Sequence, residues 1–468
     1  MTAPLVILNN PLIFMTKDFL SETLLKNKYS AGEAIPIIKN GVPKIIVFKL
    51  PEELIDNFIS EFNNKPISKD INYPITLTKS TKTVEELTNE YSTIKDLPLF
   101  KEYVDYENEW KTNYTNSPEK PGLLYIDDEK KNIVYKTMKY LVEKLGKNIL
   151  HGRSVLNVSF PVFIFDKRTL QMAFCCEQKL APIYLTKAYF CTDKIEKLKW
   201  ITTYLVSCFQ YSVSQIKPFN PIIGETFQCK IGTLDLYAEQ TVNHPITYNF
   251  YMKEENNFFT MYGYVITDAS INVNSAIGAR YGKFYIKFKD GALYRIRVPQ
   301  IIIMGITMGE RIFNFINKCL VEDLTNKLCA FIHINPEEPG YFSSFFKNKK
   351  TFPDYFTGKI VDLDSVIVEE NGGNHKLKKN AKSYGVIEGE WTNFISFDQV
   401  EYWNMEKIKG LPVYSPEFLC PSDGSFREDL IYFIKDDQER SQMEKEKLEV
   451  RQRKDRKLRA EYKEKTKK

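Results

Sequence analysis

The residues whose chemistry is most evident lie in two short polar segments embedded in apolar sequence. The first is KPFNPIIGETF, from Lys217 to Phe227, and the second is EQTVNHP, from Glu239 to Pro245. Proline restricts the backbone and glycine permits turns, so the first segment is expected to form a rigid loop that begins with a lysine. A lysine on such a loop can bind a phosphate group, although a merely solvated lysine in a proline-rich turn gives the same pattern.

A third candidate is a charged triad near the C-terminus. Lys445, Glu449 and Arg453 are spaced four residues apart, so on a helix they share one ridge. The arginine could grip a phosphate through two hydrogen bonds while the glutamate orients the basic side chains or accepts from hydroxyl groups. A ladder of solvent-exposed salt bridges is the alternative for a helix this highly charged.

Length and composition favour a globular protein of two domains. The chain has 468 residues, 43% of them hydrophobic and 14% aromatic, which predicts a large buried core. The sequence has no run of 18 apolar residues, so no transmembrane helix is predicted, and the N-terminus lacks the basic start of a signal peptide. The eight cysteines form no CxxC pair and there are only four histidines, so neither zinc nor disulfides are expected and the compartment is a reducing cytosol. These cysteines are Cys175, Cys176, Cys191, Cys208, Cys229, Cys319, Cys329 and Cys420.

The net charge of +5 is concentrated at the C-terminus. Residues 435–468 contain 14 lysines and arginines and 9 acidic residues, which accounts for the whole excess. A neutral body with a basic end fits an anionic membrane surface at least as well as a nucleic acid, and no nucleic-acid partner is predicted.

Helical patterns precede and follow the first two polar segments. Residues 129–146 predict an amphipathic helix that ends at Gly146, and a second helix is predicted from an N-cap at Thr192. The tail from Lys435 predicts a charged helix that is neither a core helix nor a coiled coil. The apolar face of the first helix consists of Val134, Met138, Leu141, Val142 and Leu145.

The region from Leu234 to Ile303 changes to a strand-like period. Alternating aromatic and β-branched residues, with a hairpin signal at Asp290-Gly291, predict consecutive antiparallel strands. Near the N-terminus, PKIIVFKL predicts a strand and PEELIDNFISEF a helix. A sheet of so many strands is expected to curl or close around a cavity.

These segments together resemble the oxysterol-binding-protein-related lipid transfer family. Its members carry KPFNPxxGETF, EQVSHHPP and a K-xxx-E-xxx-R pattern, and LNVSFPVFIFDKRTLQ and PSDGSFREDL are also similar to family segments. The chain departs from the second motif, because Asn243 replaces the first histidine and Ile246 the second proline. The amide of Asn243 can donate hydrogen bonds but cannot become positive, which implies weaker phosphoinositide binding or a different headgroup.

The resemblance implies an α+β, mainly β fold: a large antiparallel β-barrel around a hydrophobic lipid tunnel, with an N-terminal helical lid and peripheral and C-terminal helices. It implies a small N-terminal region of unknown type at 1–100, a linker at 101–128 and a lipid-binding domain at 129–468. Within that domain the lid is 129–160 and the charged helix is 435–468.

The resemblance also implies a lipid transfer protein that extracts one lipid, a sterol or a phospholipid, in exchange for phosphatidylinositol 4-phosphate. A lipid sensor or scaffold without transfer activity is the alternative. An enzyme, such as a hydrolase using His244 with Glu239, is not predicted, because no nucleophile elbow, metal cluster or P-loop is present, and no cofactor is implied. The implied lipid-binding residues are Lys217, Pro218, Phe219, Asn220, Asn243, His244, Lys445, Glu449 and Arg453.

The resemblance further implies a cytoplasmic protein peripheral at membranes. Residues Glu102 to Asn108, EYVDYEN, are similar to the FFAT motif through which family members bind VAP adaptors of the endoplasmic reticulum. Tyr106 and Asn108 depart from the usual small residue and acid of that motif.

Overall fold

A computed structural model of the chain describes most of its residues and divides into two compact units. Unit 1 comprises residues 1–98 and 416–421, and unit 2 comprises residues 99–415 and 422–468. The described residues are 5–9, 33–39, 42–63, 77–92, 113–116, 122–145, 151–154, 159–335, 354–369, 374–408, 410–411, 413–416 and 418–466.

Unit 1 is a four-stranded antiparallel sheet with a helix on each face. The strands pair in the order β2–β3–β1–β4. One face packs Phe48 and Phe58 together, and the other packs Ile37, Val47 and Leu87. The predicted strand and helix in this region are both present, with Pro51 immediately before the helix. The elements are β1 (Leu5–Asn9), β2 (Glu33–Lys39), β3 (Val42–Lys49), α1 (Glu52–Phe62), β4 (Leu77–Ser80) and α2 (Val84–Ser92).

Unit 2 combines helices with one large sheet. In its described part, the helices are α3 (Asp128–Leu145), α4 (Leu170–Cys176), α5 (Ala181–Phe190), α6 (Lys194–Ser207), α7 (Glu428–Ile434) and α8 (Gln438–Thr466). The strands are β5 (Tyr114–Asn116), β6 (Leu123–Tyr125), β7 (His151–Ser154), β8 (Phe165–Thr169), β9 (Lys217–Phe219), β10 (Thr226–Ile231), β11 (Leu234–Val242), β12 (Ile246–Glu254), β13 (Phe259–Asn272), β14 (Ser275–Phe288), β15 (Leu293–Arg297), β16 (Gln300–Met304), β17 (Ile312–Ile316), β18 (Lys318–Asp323), β19 (Leu328–Ile334), β20 (Tyr355–Asp362), β21 (Val366–Ile367), β22 (Lys376–Leu377), β23 (Ser383–Glu390), β24 (Phe394–Phe397), β25 (Val400–Asn404) and β26 (Val413–Tyr414).

The large sheet is antiparallel in each strand pair whose register is described, which confirms the mainly β prediction. Consecutive strands from β10 to β15 pair with one another, β15 pairs with β18, and β18 pairs with β19. Buried and more exposed residues alternate along β11 and β12, as expected for strands with one face on a core. The hairpin predicted at Asp290-Gly291 joins β14 to β15.

One glycine permits an unusually close approach within the longest strand pair. Gly282 on β14 has φ +119°, and a Cβ there would lie 2.2 Å from the carbonyl oxygen of Tyr264 on β13. Only glycine fits this position without moving backbone. Both residues line a pocket described below, so the close approach shapes that pocket.

Several sequence-based boundaries differ from the structure. The predicted linker at 101–128 contains β5 and β6, which pair with each other while β6 also pairs with β17, so part of it belongs to the sheet. Helix α6 is capped by Asp193 rather than Thr192, because the Asp193 carboxylate accepts from the N–H groups of Ile195 and Glu196.

The two ends of unit 2 also differ in detail from expectation. Helix α8 begins at Gln438, and its first turns are buried at Ser441 and Lys445, so the prediction that the tail is not a core helix is wrong there. Helix α3 matches the predicted amphipathic helix in extent. The structure does not describe the apolar side chains predicted for this helix, nor Gly146, nor the Glu102–Asn108 motif.

Candidate functional site

The two polar segments lie side by side. Lys217 begins β9, which pairs in parallel with β8 so that Lys217 lies opposite Phe165. Beyond the turn at Gly224, the segment hydrogen-bonds to the end of β11. The N–H of Gly224 donates to the Gln240 carbonyl at 2.9 Å, and the N–H of Gln240 donates to the Glu225 carbonyl at 2.9 Å. The start of the second segment therefore lies against the end of the first.

The side chain of Lys217 is held by its own loop and by two stacked phenylalanine rings. Its Nζ donates to Asn220 Oδ1 and, at 3.2 Å, to the Pro218 carbonyl. The Nζ lies 5.1 Å from the centre of the Phe165 ring, which stacks on Phe219 with ring centres 4.4 Å apart. The ammonium group is thus oriented by its own loop and by a cation–π contact.

The tail helix brings a second lysine to the same ring. Lys445 on α8 is buried, and its Nζ lies 5.9 Å from the centre of the Phe165 ring. The Nζ donates to Glu449 and, at 3.1 Å, to Ser159 Oγ, which in turn donates to Glu449 at 2.9 Å. Lysines separated by more than 200 residues of sequence therefore share one aromatic ring.

The last member of the triad is more loosely held. Arg453 keeps 59% of its side chain exposed, and its Nη1 lies 3.9 Å from Glu449 Oε2. An arginine so weakly paired at a surface can turn to a ligand at little energetic cost.

An arginine that the motifs did not include, Arg427, supports the loop. The buried Arg427 donates through Nη1 to the Asn220 carbonyl at 2.8 Å and to Glu225 Oε2 at 2.9 Å. Its Nε and Nη2 donate to Asp429 at 3.0 and 2.6 Å. Although burial opposes the charge, Asp429 and Glu225 raise the pKa of Arg427, so it stays a cation. The segment PSDGSFREDL, noted for its family resemblance, was the signal for this residue.

The electrostatics of the cluster leave one cation without a counter-charge. Lys445 pairs with Glu449, and Arg427 pairs with Glu225 and Asp429. In the described part of the chain no carboxylate lies within ion-pair distance of Lys217. Burial, reinforced by the charges of Lys445 and Arg427, lowers the pKa of Lys217 to about 7. An anion placed beside Lys217 would supply the missing charge.

The second segment ends in a hairpin turn. Asn243 and His244 lie in the hairpin turn between β11 and β12, with Asn243 half-buried and His244 exposed. Partial burial and the charge of Arg456 on α8 lower the pKa of His244. In the part of the chain that the structure describes, no hydrogen bond or ion pair joins His244 to Lys217, so the structure does not bring these two predicted site residues into contact.

A pocket lies between α4, α6 and strands β13 to β15. The space between its walls, including the part open to solvent, is about 950 Å³. Gln171 of α4 donates to Glu225 at 3.1 Å, and Phe174, three residues later on the same helix, lines the pocket. One helix therefore connects the polar loop to the pocket wall.

The pocket wall is mainly apolar but contains an ion pair that sequence analysis did not find. Arg280 on β14 donates through Nη1 to Glu177 at 2.6 Å and through Nη2 to Ser212 Oγ at 3.1 Å. The three residues come from separate elements, and no local spacing relates them. Apolar lining residues include Phe174, Leu205, Phe209, Val265, Phe284, Ile296 and Phe315.

The described residues contain no group of three or more His, Cys, Asp or Glu that could hold a metal ion. Within the same residues, no helix is long and apolar enough to cross a membrane.

The low pKa of Lys217 predicts that binding of an anion depends on pH. A bound anion raises the pKa of Lys217, so above pH 7 the amine of Lys217 takes up a proton when the anion binds. We expect affinity for a phosphodiester lipid, whose own charge is constant in this range, to be flat below pH 7 and to fall as pH rises above it, by at most tenfold per unit. Lys217→Arg, which stays charged, is expected to remove this dependence. Titration calorimetry from pH 6 to 9 measures both proteins, and equal slopes would contradict the assignment.

Comparison with known proteins identifies similar chains. The family model described as oxysterol-binding protein matches residues 141–468. Oxysterol-binding protein 9 of Dictyostelium discoideum is 29% identical over 319 residues, covering 68% of this chain and 74% of that protein. Human oxysterol-binding protein-related protein 8 is 25% identical over 285 residues, which is 57% of this chain but only 29% of that longer protein.

Solved structures share the fold. The Osh3 ORD of Saccharomyces cerevisiae, crystallised in complex with PI(4)P, aligns with a TM-score of 0.52 at 19% identity and covers 69% of this chain and 84% of its own. The Osh1 ORD domain in complex with cholesterol aligns with a TM-score of 0.55 at 17% identity and covers 79% and 90%. At these identities the likeness establishes the fold.

Proposed function

Because this chain belongs to the oxysterol-binding protein family, we propose that it is a lipid transfer protein that extracts a single lipid from a membrane and carries it in its pocket. The observation that carries the proposal is the convergence of Lys217 and Lys445 on the Phe165 ring, next to a largely apolar pocket. A cationic cluster suits a phosphate-bearing headgroup, and the pocket suits an apolar body.

The proposed ligands follow from the relatives' ligands and from the residues present here. The Osh3 ORD was crystallised with PI(4)P and the Osh1 ORD domain with cholesterol. We assign the headgroup of a phosphoinositide to Lys217, Asn220, Lys445, Glu449 and Arg453, with Pro218 and Phe219 shaping the loop and Asn243 and His244 on the neighbouring hairpin. The competing lipid is a sterol or another phospholipid that occupies the same pocket.

Extraction requires that pocket burial offset the loss of the lipid's bilayer environment. Each CH₂ group that leaves water is stabilised by about 0.8 kcal/mol. A lipid in a bilayer has already gained this stabilisation. The specific contribution of the protein is therefore the charged headgroup contact, since the apolar gain is nearly equal in both places. The cation cluster, rather than the pocket wall, therefore selects the cargo.

Other parts of the proposal rest on the same family membership. Residues 129–160 are proposed as the lid, with α3 as its helical part. The protein is proposed to be cytoplasmic, to contact anionic membranes peripherally through its basic tail, and to act by binding rather than by bond-breaking chemistry. The VAP-binding segment Glu102–Asn108 stays a sequence-based prediction.

A vesicle-to-vesicle assay tests the function. Donor vesicles containing fluorescent phosphatidylinositol 4-phosphate and acceptor vesicles containing a sterol are mixed with the purified chain. We expect catalytic amounts of protein to move phosphoinositide to the acceptor, and faster when the counter-lipid is present. Lys230→Met, which removes a partly exposed lysine on β10 paired with Asp235 and Glu255, serves as the control variant and should transfer normally.

A protein that binds the lipid stoichiometrically yet moves none between vesicles would be a sensor or scaffold. In that outcome the transfer proposal is wrong while the binding site stands. A protein that binds neither lipid would contradict the proposal altogether.

A further inference from the structure

One edge of strand β14 is interrupted where it borders the pocket. Phe284 lies opposite Ile296 of β15, and Gly278 lies opposite Ile301 of β16. Between these two pairs, residues 279–283 of β14 are described but have no partner in the register along this edge. Backbone pairing therefore closes the sheet on either side of this stretch but not across it.

The connection between β15 and β16 lies opposite the interruption. It contains Pro299, which has no N–H to donate to the edge of β14. Side chains span the gap instead, because Gln300 Nε2 donates to the Tyr281 hydroxyl at 3.4 Å and Asn317 Nδ2 donates to Gln300 Oε1 at 2.6 Å. The side window is formed by residues 279–283 of β14 and by residues 297–300 opposite them.

The pocket reaches both faces of the sheet at the side window. Phe284 and Ile296 are buried and belong to its inner wall. Arg297 follows Ile296 on β15, so it lies on the outer face, where its Nε donates to Glu322 at 3.0 Å. Because Arg297 also lines the pocket, one continuous space touches side chains on opposite faces of the sheet.

The outer end of this passage is bordered by the small two-stranded sheet of β21 and β22. Apolar side chains of that small sheet pack in one cluster with Leu320 of β18, which is on the same face of its strand as Glu322. Glu369 and His375, at the ends of β21 and β22, line the pocket, and the N–H of Glu369 donates to His375 Nδ1 at 3.1 Å. The passage thus ends among polar side chains outside the large sheet.

The passage is polar, whereas most of the pocket wall is apolar. Arg280 lies in the side window and donates to Glu177 at 2.6 Å and to Ser212 Oγ at 3.1 Å. An acyl chain in the passage would take such groups out of water, which is costly. A water molecule instead finds hydrogen-bond partners along the whole way, from Arg280 to His375. The chemistry of the passage therefore suits water and not a lipid chain.

We propose that the side window is a vent through which water leaves the pocket when a lipid is loaded and returns when the lipid is released. Liquid water occupies about 30 Å³ per molecule, so the space of about 950 Å³, including the part open to solvent, holds at most about 30 waters. A lipid that enters blocks the route it takes, so the water it displaces needs another way out. The inference rests on the proposed function, since a vent serves a pocket that loads and releases lipid.

Substitutions of Val298, which lies in the side window and lines the pocket, test the inference. Val298→Trp fills the window, and we expect it to slow extraction and release of fluorescent phosphatidylinositol 4-phosphate equally, by about tenfold, with unchanged equilibrium affinity, because a vent changes the barrier and not the end states. Val400→Trp adds the same side chain at a position that is 61% exposed on β25, and it should change neither rate. Stopped-flow fluorescence with vesicles gives both rates, and equilibrium extraction gives the affinity.

A smaller side chain at the same position gives a second, independent measurement. Val298→Ala widens the window with little risk to folding. Acrylamide, a small polar quencher, should then quench a pocket-bound lipid with a fluorophore on its acyl chain more strongly than in the unsubstituted protein. Val400→Ala is the matched control and should leave the quenching unchanged.

The outcomes separate the vent from the function on which it rests. Normal rates in a folded Val298→Trp protein, or unchanged quenching in Val298→Ala, would overturn the vent while lipid transfer stands. An affinity that falls together with the rates would place the cargo itself in the window and would also overturn the vent. Equal slowing by Val298→Trp and Val400→Trp would show a general effect of added apolar surface, with the same consequence. If the unsubstituted protein extracts no lipid, the proposed function fails and the vent fails with it.

Discussion

Replacement of Lys217 by methionine is expected to weaken binding of a phosphoinositide by about 10- to 100-fold without lowering the melting temperature. Hydrogen bonds to charged groups contribute about 1.5–3 kcal/mol, which corresponds to this range. The ammonium group lies 5.1 Å from the centre of the Phe165 ring and is repelled by the charges of Lys445 and Arg427, with no acidic partner in the described structure. Removing it takes a repelled, desolvated charge out of the folded state, so stability should be unchanged or higher.

Two measurements on one variant separate binding from folding. Vesicle extraction of phosphatidylinositol 4-phosphate gives the affinity, and thermal unfolding gives the stability. Lys230→Met is again the matched control, since its lysine is partly exposed and paired with acids, and it should change neither quantity appreciably. A Lys217→Met protein that extracts lipid normally, or one that loses binding only because it unfolds, would contradict the assignment of Lys217.

Replacement of Arg427 by alanine is expected to have the largest effect on stability. The guanidinium group serves two buried carboxylates, Glu225 and Asp429, and one loop carbonyl, that of Asn220. Removing one partner of a buried ion pair costs about 3–5 kcal/mol, because the remaining charges stay buried without compensation. The loop that carries Lys217 also loses its anchor, so lipid binding should fall with stability.

Denaturant unfolding compares this loss of stability with the loss caused by removing an exposed ion pair. Arg440→Ala removes an arginine with 66% of its side chain exposed, paired with Asp437 at 3.3 Å, and is expected to cost less than about 1 kcal/mol. The contrast between the two variants isolates burial as the cause. An Arg427→Ala protein as stable as Arg440→Ala would show that the carboxylates are neutral or hydrated in the folded protein.

Local patterns in the sequence were sufficient for much of the fold. Alternation of apolar and polar residues in β11 and β12, and Asp290-Gly291 between β14 and β15, are consequences of neighbouring residues, so they could be predicted. The short strands β5 and β6 could not, because a proline- and glycine-containing stretch reads as a linker. They are strands because β17 offers β6 a pairing edge, which is a property of the sheet.

The residues of the candidate site also divide into those that the sequence predicted and those that only the folded structure revealed. The sequence alone determined that Lys217, Lys445, Glu449 and Arg453 belong to recognisable motifs, because motif spacing is a local property. Only the tertiary structure decided that Lys217 and Lys445 meet on Phe165 and that Arg427 supports the loop of Lys217. Burial and electrostatic interaction depend on distances between residues far apart in the chain, and those distances exist only once the sheet and α8 have packed together.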